Sequence, residues 1–101
     1  MPEDVSAQDG FVREIGATAA DFERGLRLAV PGGVDAPAPG RLRVAQDGVT
    51  LELTLTALPE RRIGLFRLPV LHAHLRFTAG AAADRAALLA RIDRAMQRGG
   101  G

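Results

Sequence analysis

No cysteine occurs in this 101-residue chain, which excludes disulfides and thiolate metal sites. Tyrosine, tryptophan, lysine and asparagine are missing as well. With Cys, Lys and Tyr missing, the common nucleophiles and proton donors are sparse, and the one serine, Ser6, lies near the N-terminus. Four phenylalanines supply all the aromatic content, and the core needs most of them. Stacking platforms for single-stranded nucleic acid are thus lacking. No apolar run is long enough to span a bilayer. Residues 1–10 are acidic and polar, without the basic and apolar regions of a signal peptide. These absences lead us to expect a cytoplasmic protein with no membrane association.

The length suits one domain. Surface scaling for a chain of this size buries about 65% of the unfolded surface, enough for a core without staples. Net charge is only +1, so counterion release would add little to nucleic-acid affinity, and nucleic acid is an unlikely partner. All 13 basic residues are arginine. With Lys, Asn and Tyr absent and Ala, Gly and Pro abundant, codon bias of a GC-rich bacterial genome explains this more simply than a phosphate-binding role.

What is present is led by Asp47-Gly48, which lies between two alternating stretches. Asp-Gly in a two-residue loop favours a type I′ hairpin, with positive φ at both central positions. That register pairs Val44 with Leu51 and Leu42 with Leu53 on one face. It pairs Arg43 with Glu52 and Arg41 with Thr54 on the other. A one-residue slip would spoil both sets. The spacing predicts further elements. Phe11 to Ile15 reads as a strand. A helix capped by Thr18, with Asp21 at N3, carries Phe22, Leu26, Ala29 and Val30 on one side. Gly25 in that helix suggests close approach to the sheet. Pro31 to Gly40 reads as a surface loop, and Pro59-Glu60 as a turn. An extended stretch runs from Arg61 to Thr78, interrupted at Pro69. A last helix spans Ala82 to Arg98, with Leu88, Leu89, Ile92, Ala95 and Met96 as its apolar stripe. We expect a disordered lead-in at 1–9, one domain over 10–98 and a flexible glycine tail at 99–101.

The fold class that follows is α+β: an antiparallel meander with two helices on one face, in the order β-α-β(3-4)-α. This order resembles the TATA-box-binding-protein-like fold, β-α-β(4)-α, over nearly the whole domain. The resemblance implies topology and no function. The stretch Arg61-Arg62-Ile63-Gly64-Leu65-Phe66-Arg67-Leu68-Pro69-Val70-Leu71 and the closing Gln97-Arg98-Gly99-Gly100-Gly101 resemble a group of short uncharacterised proteobacterial proteins. That resemblance implies no activity.

Candidate binding residues are His72, His74, Arg76, Arg43 and Glu52, which alternation places on the sheet face away from the helices. His72 and His74 stand two apart, roughly 7 Å between Cα atoms, and Glu52 is the best third metal ligand. A fourth is lacking, so we expect no metal and no cofactor. No catalytic set emerges, and Gly32-Gly33 precedes a Pro-rich loop and not a helix, so it is no phosphate loop. The segment 61–70 is different. If it stays in phase with Leu71, Ala73, Leu75 and Phe77, then Ile63 and Leu65 face the core and Phe66, Leu68 and Val70 face outward. If Pro69 marks a bulge and the phase switches, Phe66 and Leu68 face inward while Ile63 and Leu65 face outward. Either way large apolar side chains occupy the outer face, which marks an interface. The residues concerned are Ile63, Leu65, Phe66, Leu68 and Val70, with Arg67 and Arg76 at the rim, unless the 31–40 loop or the N-terminal segment covers them. The expected function is a non-enzymatic interaction or accessory module that self-associates or binds a protein partner. The alternatives are a small-ligand or catalytic site at His72, His74 and Arg76, and nucleic-acid binding through sheet-face arginines.

Overall fold

A computed structural model describes residues 10–100, with side-chain surroundings for residues 10–96. The lead-in expected at residues 1–9 lies outside the described residues. The elements are β1 (Phe11–Ile15), α1 (Ala19–Ala29), β2 (Val34–Ala38), β3 (Arg41–Gln46), β4 (Val49–Ile63), β5 (Phe66–Ala79) and α2 (Ala82–Gly100). They build one antiparallel sheet in the order β1-β5-β4-β3-β2. The strands from β2 to β5 follow as a meander, and β1 closes the far side against β5.

The central hairpin has the register that turn chemistry demands. Asp47 and Gly48 take φ of +52° and +79°. Val44 pairs with Leu51, Leu42 with Leu53, Arg43 with Glu52 and Arg41 with Thr54. All four of those apolar residues are buried, with no more than 3% exposure.

Helix α1 starts where Thr18 Oγ1 accepts the backbone N–H of Asp21 at 3.1 Å, satisfying one of the first-turn donors. Thr18→Ala should therefore lower stability by about 1 kcal/mol in urea unfolding; an unchanged midpoint would show that the cap contributes nothing. The Arg24 guanidinium, and after it the Thr18 hydroxyl, holds the Asp21 carboxyl below the usual carboxylate range. A depressed folded-state pKa contributes stability above the unfolded value and loses it as pH falls through the folded one.

Both helices lie on one face. Phe22, Leu26 and Val30 from α1 and its C-cap, and Leu88 and Ile92 from α2, share one buried cluster with Leu42, Val44, Leu51, Leu53, Leu71, Ala73, Leu75 and Phe77. No polar or charged residue is buried among the described residues. Gly25 serves a helix contact and not the expected sheet contact: a Cβ there would stand 3.0 Å from Met96 Cε on α2.

Four boundaries differ from the sequence expectation. The 31–40 stretch is not a plain loop, since Val34–Ala38 pairs with β3 as an edge strand. An edge tolerates Pro37, which has no N–H to donate. The helix exit is tied to this edge by Ala45 N–H donating to Gly33 O at 2.9 Å. Pro59-Glu60 is not a turn; it forms a bulge inside β4, between the Leu58–Val70 and Arg61–Leu68 pairs. The stretch 61–78 is not one strand, because the chain reverses at Gly64-Leu65 between β4 and β5. Finally α2 continues through Gly99 and Gly100, a two-residue difference of the size common at fraying helix ends.

Candidate functional site

The registers assign the sheet face opposite the helices row by row. One row reads Asp35, Arg43, Glu52, Arg76 across β2, β3, β4 and β5. The next reads Arg41, Thr54, His74, Val12, and the one after it Thr56, His72, Glu14. Of the expected binding residues, Arg43, Glu52, His74 and Arg76 line one depression of about 340 Å³, together with Arg41. Arg41, one of the sheet-face arginines of the nucleic-acid alternative, lies on the face where the hairpin register placed it.

His72 is not part of that depression. Its Nε2 lies 3.6 Å from Glu14 Oε1, and Glu14 Oε2 accepts Arg61 Nη2 at 2.9 Å. Glu52 shares the depression with His74 but does not form a ligand group with the two histidines: it sits opposite Arg76, with its Oε2 3.9 Å from Arg43 Nε. The charges in that row alternate in sign, and cross-strand neighbours of opposite charge are mutually favourable. Among the described residues, no three His, Asp or Glu side chains are grouped to hold a metal ion. Zinc added to the protein should accordingly be lost on gel filtration in dilute chelator; stoichiometric retention would contradict this reading of the face.

The rest of the outer face belongs to a protruding arm. Strand β3 stops pairing with β4 at Thr54, and β1 stops pairing with β5 at Leu71. From Leu58 to Val70 the chain is a ribbon of two strands with no strand neighbour among the described residues. Gly64 alone of the two loop residues has positive φ, +62°, the pattern of a type II′ hairpin turn. Ribbons of this kind are only marginally stable in water by themselves.

The bulge at Pro59-Glu60 decides which way the arm's side chains point. The extra residue lies on β4 and not on β5, so β5 keeps its phase and β4 changes its own. Ile63 pairs with Phe66 and Arg61 with Leu68, on the same face as the Leu58–Val70 pair. Neither phase expected from sequence is correct in full: Ile63 joins Phe66, Leu68 and Val70 on the outer face, and Leu65 occupies the turn. Leu65 is 100% exposed, Phe66 71%, Ile63 55% and Leu68 42%, while Val70 is half-buried. The 31–40 segment does not cover them, since its strand β2 pairs with β3 at an edge of the sheet, separated from β4 by β3. Arg67 stands opposite Arg62 on the arm's other face, a like-charge pair that is unfavourable unless both stay hydrated. Arg76 is not at the rim of this patch; it lies ten residues from Phe66 along the same strand, beside Glu52.

On the helix side a hollow of about 610 Å³ between α1, α2 and Pro69 is lined by Phe22, Gly25, Leu28 and Met96, with the paired Asp21 and Arg24 at its rim. No helix among the described residues is long and apolar enough to cross a membrane. No family model matches the chain, and no curated protein is significantly similar to it.

Proposed function

We propose that this chain is a small non-enzymatic interaction module that associates with itself through the β4–β5 arm. The observation that carries the reading is the run of exposed Ile63, Leu65, Phe66 and Leu68 at the end of a ribbon that nothing among the described residues covers. Burying a large apolar side chain is worth about 1.5–3 kcal/mol when complete. Four of them on one projection supply a driving force that scattered surface residues do not. The arm also extends well past the body of the sheet, which suits it to contact another molecule.

Sedimentation of the wild type against Phe66→Ser/Leu68→Ser tests this. The wild type should self-associate as concentration rises, and the doubly substituted protein should remain a folded monomer with an unchanged circular dichroism spectrum. Association that survives the two serines would overturn the reading.

The depression around Arg41, Arg43, His74 and Arg76 favours a second reading, capture of a small anion by guanidinium groups. Glu52 lies between Arg43 and Arg76 in the same row and offsets much of their charge, which makes this the weaker of the two.

A further inference from the structure

We infer that the depression on the outer sheet face binds a small organic phosphate monoester that carries a hydroxyl group a few bonds from its phosphoryl group. This rests on the second reading above, capture of an anion, and names the class of anion. It is independent of the arm and of self-association.

The depression has a side wall because β2 is irregular. The register of β2 on β3 shifts between Asp35 and Ala38, and Pro37 and Ala38 line the hollow. A flat sheet face would leave a small molecule open to water all round. Here the hollow measures about 340 Å³, within the range of about 300–1,000 Å³ in which small-molecule sites fall. That is more room than a bare oxyanion fills.

The two rows that line it differ in charge. The row Asp35, Arg43, Glu52, Arg76 alternates in sign and is neutral by itself. Glu52 lies opposite both Arg43 and Arg76, with its Oε2 3.9 Å from Arg43 Nε. The neighbouring row holds Arg41, Thr54 and His74, and no acid. The cross-strand neighbours of Arg41 are Ala38 and Thr54, neither of them charged. The positive charge that nothing in its own row offsets is therefore that of Arg41. A guanidinium, a hydroxyl and an imidazole line the hollow from β3, β4 and β5, and each can donate a hydrogen bond. Donors from three strands suit the three terminal oxygens of a phosphate monoester better than the two coplanar oxygens of a carboxylate.

Glu52 sets the requirement on the rest of the ligand. It stands two residues from Thr54 on β4, roughly 7 Å along the strand. An ionised carboxylate only accepts hydrogen bonds, so it repels a second anion and favours a donor. A hydroxyl near the phosphoryl group meets that requirement. A nucleic-acid backbone does not: its diesters have two free oxygens each, and the Glu52 row opposes a second phosphate.

A titration followed by backbone amide resonances tests this, with inorganic phosphate, glycerol 3-phosphate and glycerate as probes. It is run on the wild type, Arg41→Gln and Glu52→Gln, whose spectra also report that they are folded. Resonances around Arg41, Thr54 and His74 should shift. Glycerol 3-phosphate should bind about tenfold more tightly than inorganic phosphate or glycerate, the worth of one hydrogen bond to a charged group. Arg41→Gln should weaken both phosphates by about tenfold, the loss of one charge-assisted contact. Glu52→Gln should strengthen inorganic phosphate and erase the preference for glycerol 3-phosphate over it. If no probe shifts these resonances, or if Arg41→Gln changes nothing, the anion reading itself fails. If inorganic phosphate binds through Arg41 but glycerol 3-phosphate binds no more tightly, or glycerate matches it, only the monoester inference is overturned. A single-stranded oligonucleotide that binds more tightly than glycerol 3-phosphate, and loses affinity in Arg41→Gln, would overturn it in favour of nucleic acid.

Discussion

Phe22→Ala should lower the unfolding free energy by about 3–5 kcal/mol, a large part of the 5–15 kcal/mol that holds a domain of this size together. Phe22 is 2% exposed. It belongs to the cluster in which α1, α2 and the inner sheet face meet, so truncation leaves a void that three elements must collapse to fill. Urea unfolding should show a lower midpoint with the slope little changed. Leu28→Ala is the internal comparison. Leu28 lies on the same helix but is 75% exposed, and its loss should stay within about 0.5 kcal/mol. Equal costs for the two would contradict the placement of α1.

Gly48→Val should lower stability by about 1–3 kcal/mol, the cost of holding a non-glycine residue in a strained backbone region. A Cβ at Gly48 would meet nothing within 4 Å. The cost is therefore conformational and not steric crowding: φ of +79° is a region that β-branched residues resist. Each kcal/mol should take about 4–8 °C from the melting temperature of a domain this small. Asp47→Gly, which relaxes the other positive-φ position, should be tolerated. An unaltered melting temperature in Gly48→Val would contradict the type I′ turn.

The central hairpin was legible because two local signals agreed. Asp47-Gly48 set the turn, and strict alternation over residues 41–54 set the faces. The Thr18 cap and the apolar stripes of α1 and α2 were legible for the same reason, since caps and helical periodicity act over a few residues. Edge strand β2 was hidden by Pro37, which reads as loop until the pairing shows that its missing donor is not needed. The arm was misread because Pro59 punctuates more loudly than Gly64. Proline here marks a bulge on a strand with a free edge, and a type II′ turn at Gly64-Leu65 announces itself with one glycine only. That bulge moves Ile63 to the face of Phe66, an effect set by which strand holds the extra residue. The contacts of Glu14 with His72 and Arg61 depend on β1 pairing with β5 across most of the chain, and no local pattern encodes them.

The claim that the arm is buried against another molecule has a direct optical test. The chain contains no tryptophan or tyrosine, so Phe66→Trp supplies the sole indole, at a position 71% exposed in the isolated chain. Emission should move to the blue as protein concentration rises and copies associate, and the shift should vanish when Leu68→Ser is added. Emission fixed at the wavelength of solvated indole at every concentration, in a protein that remains folded, would contradict the account.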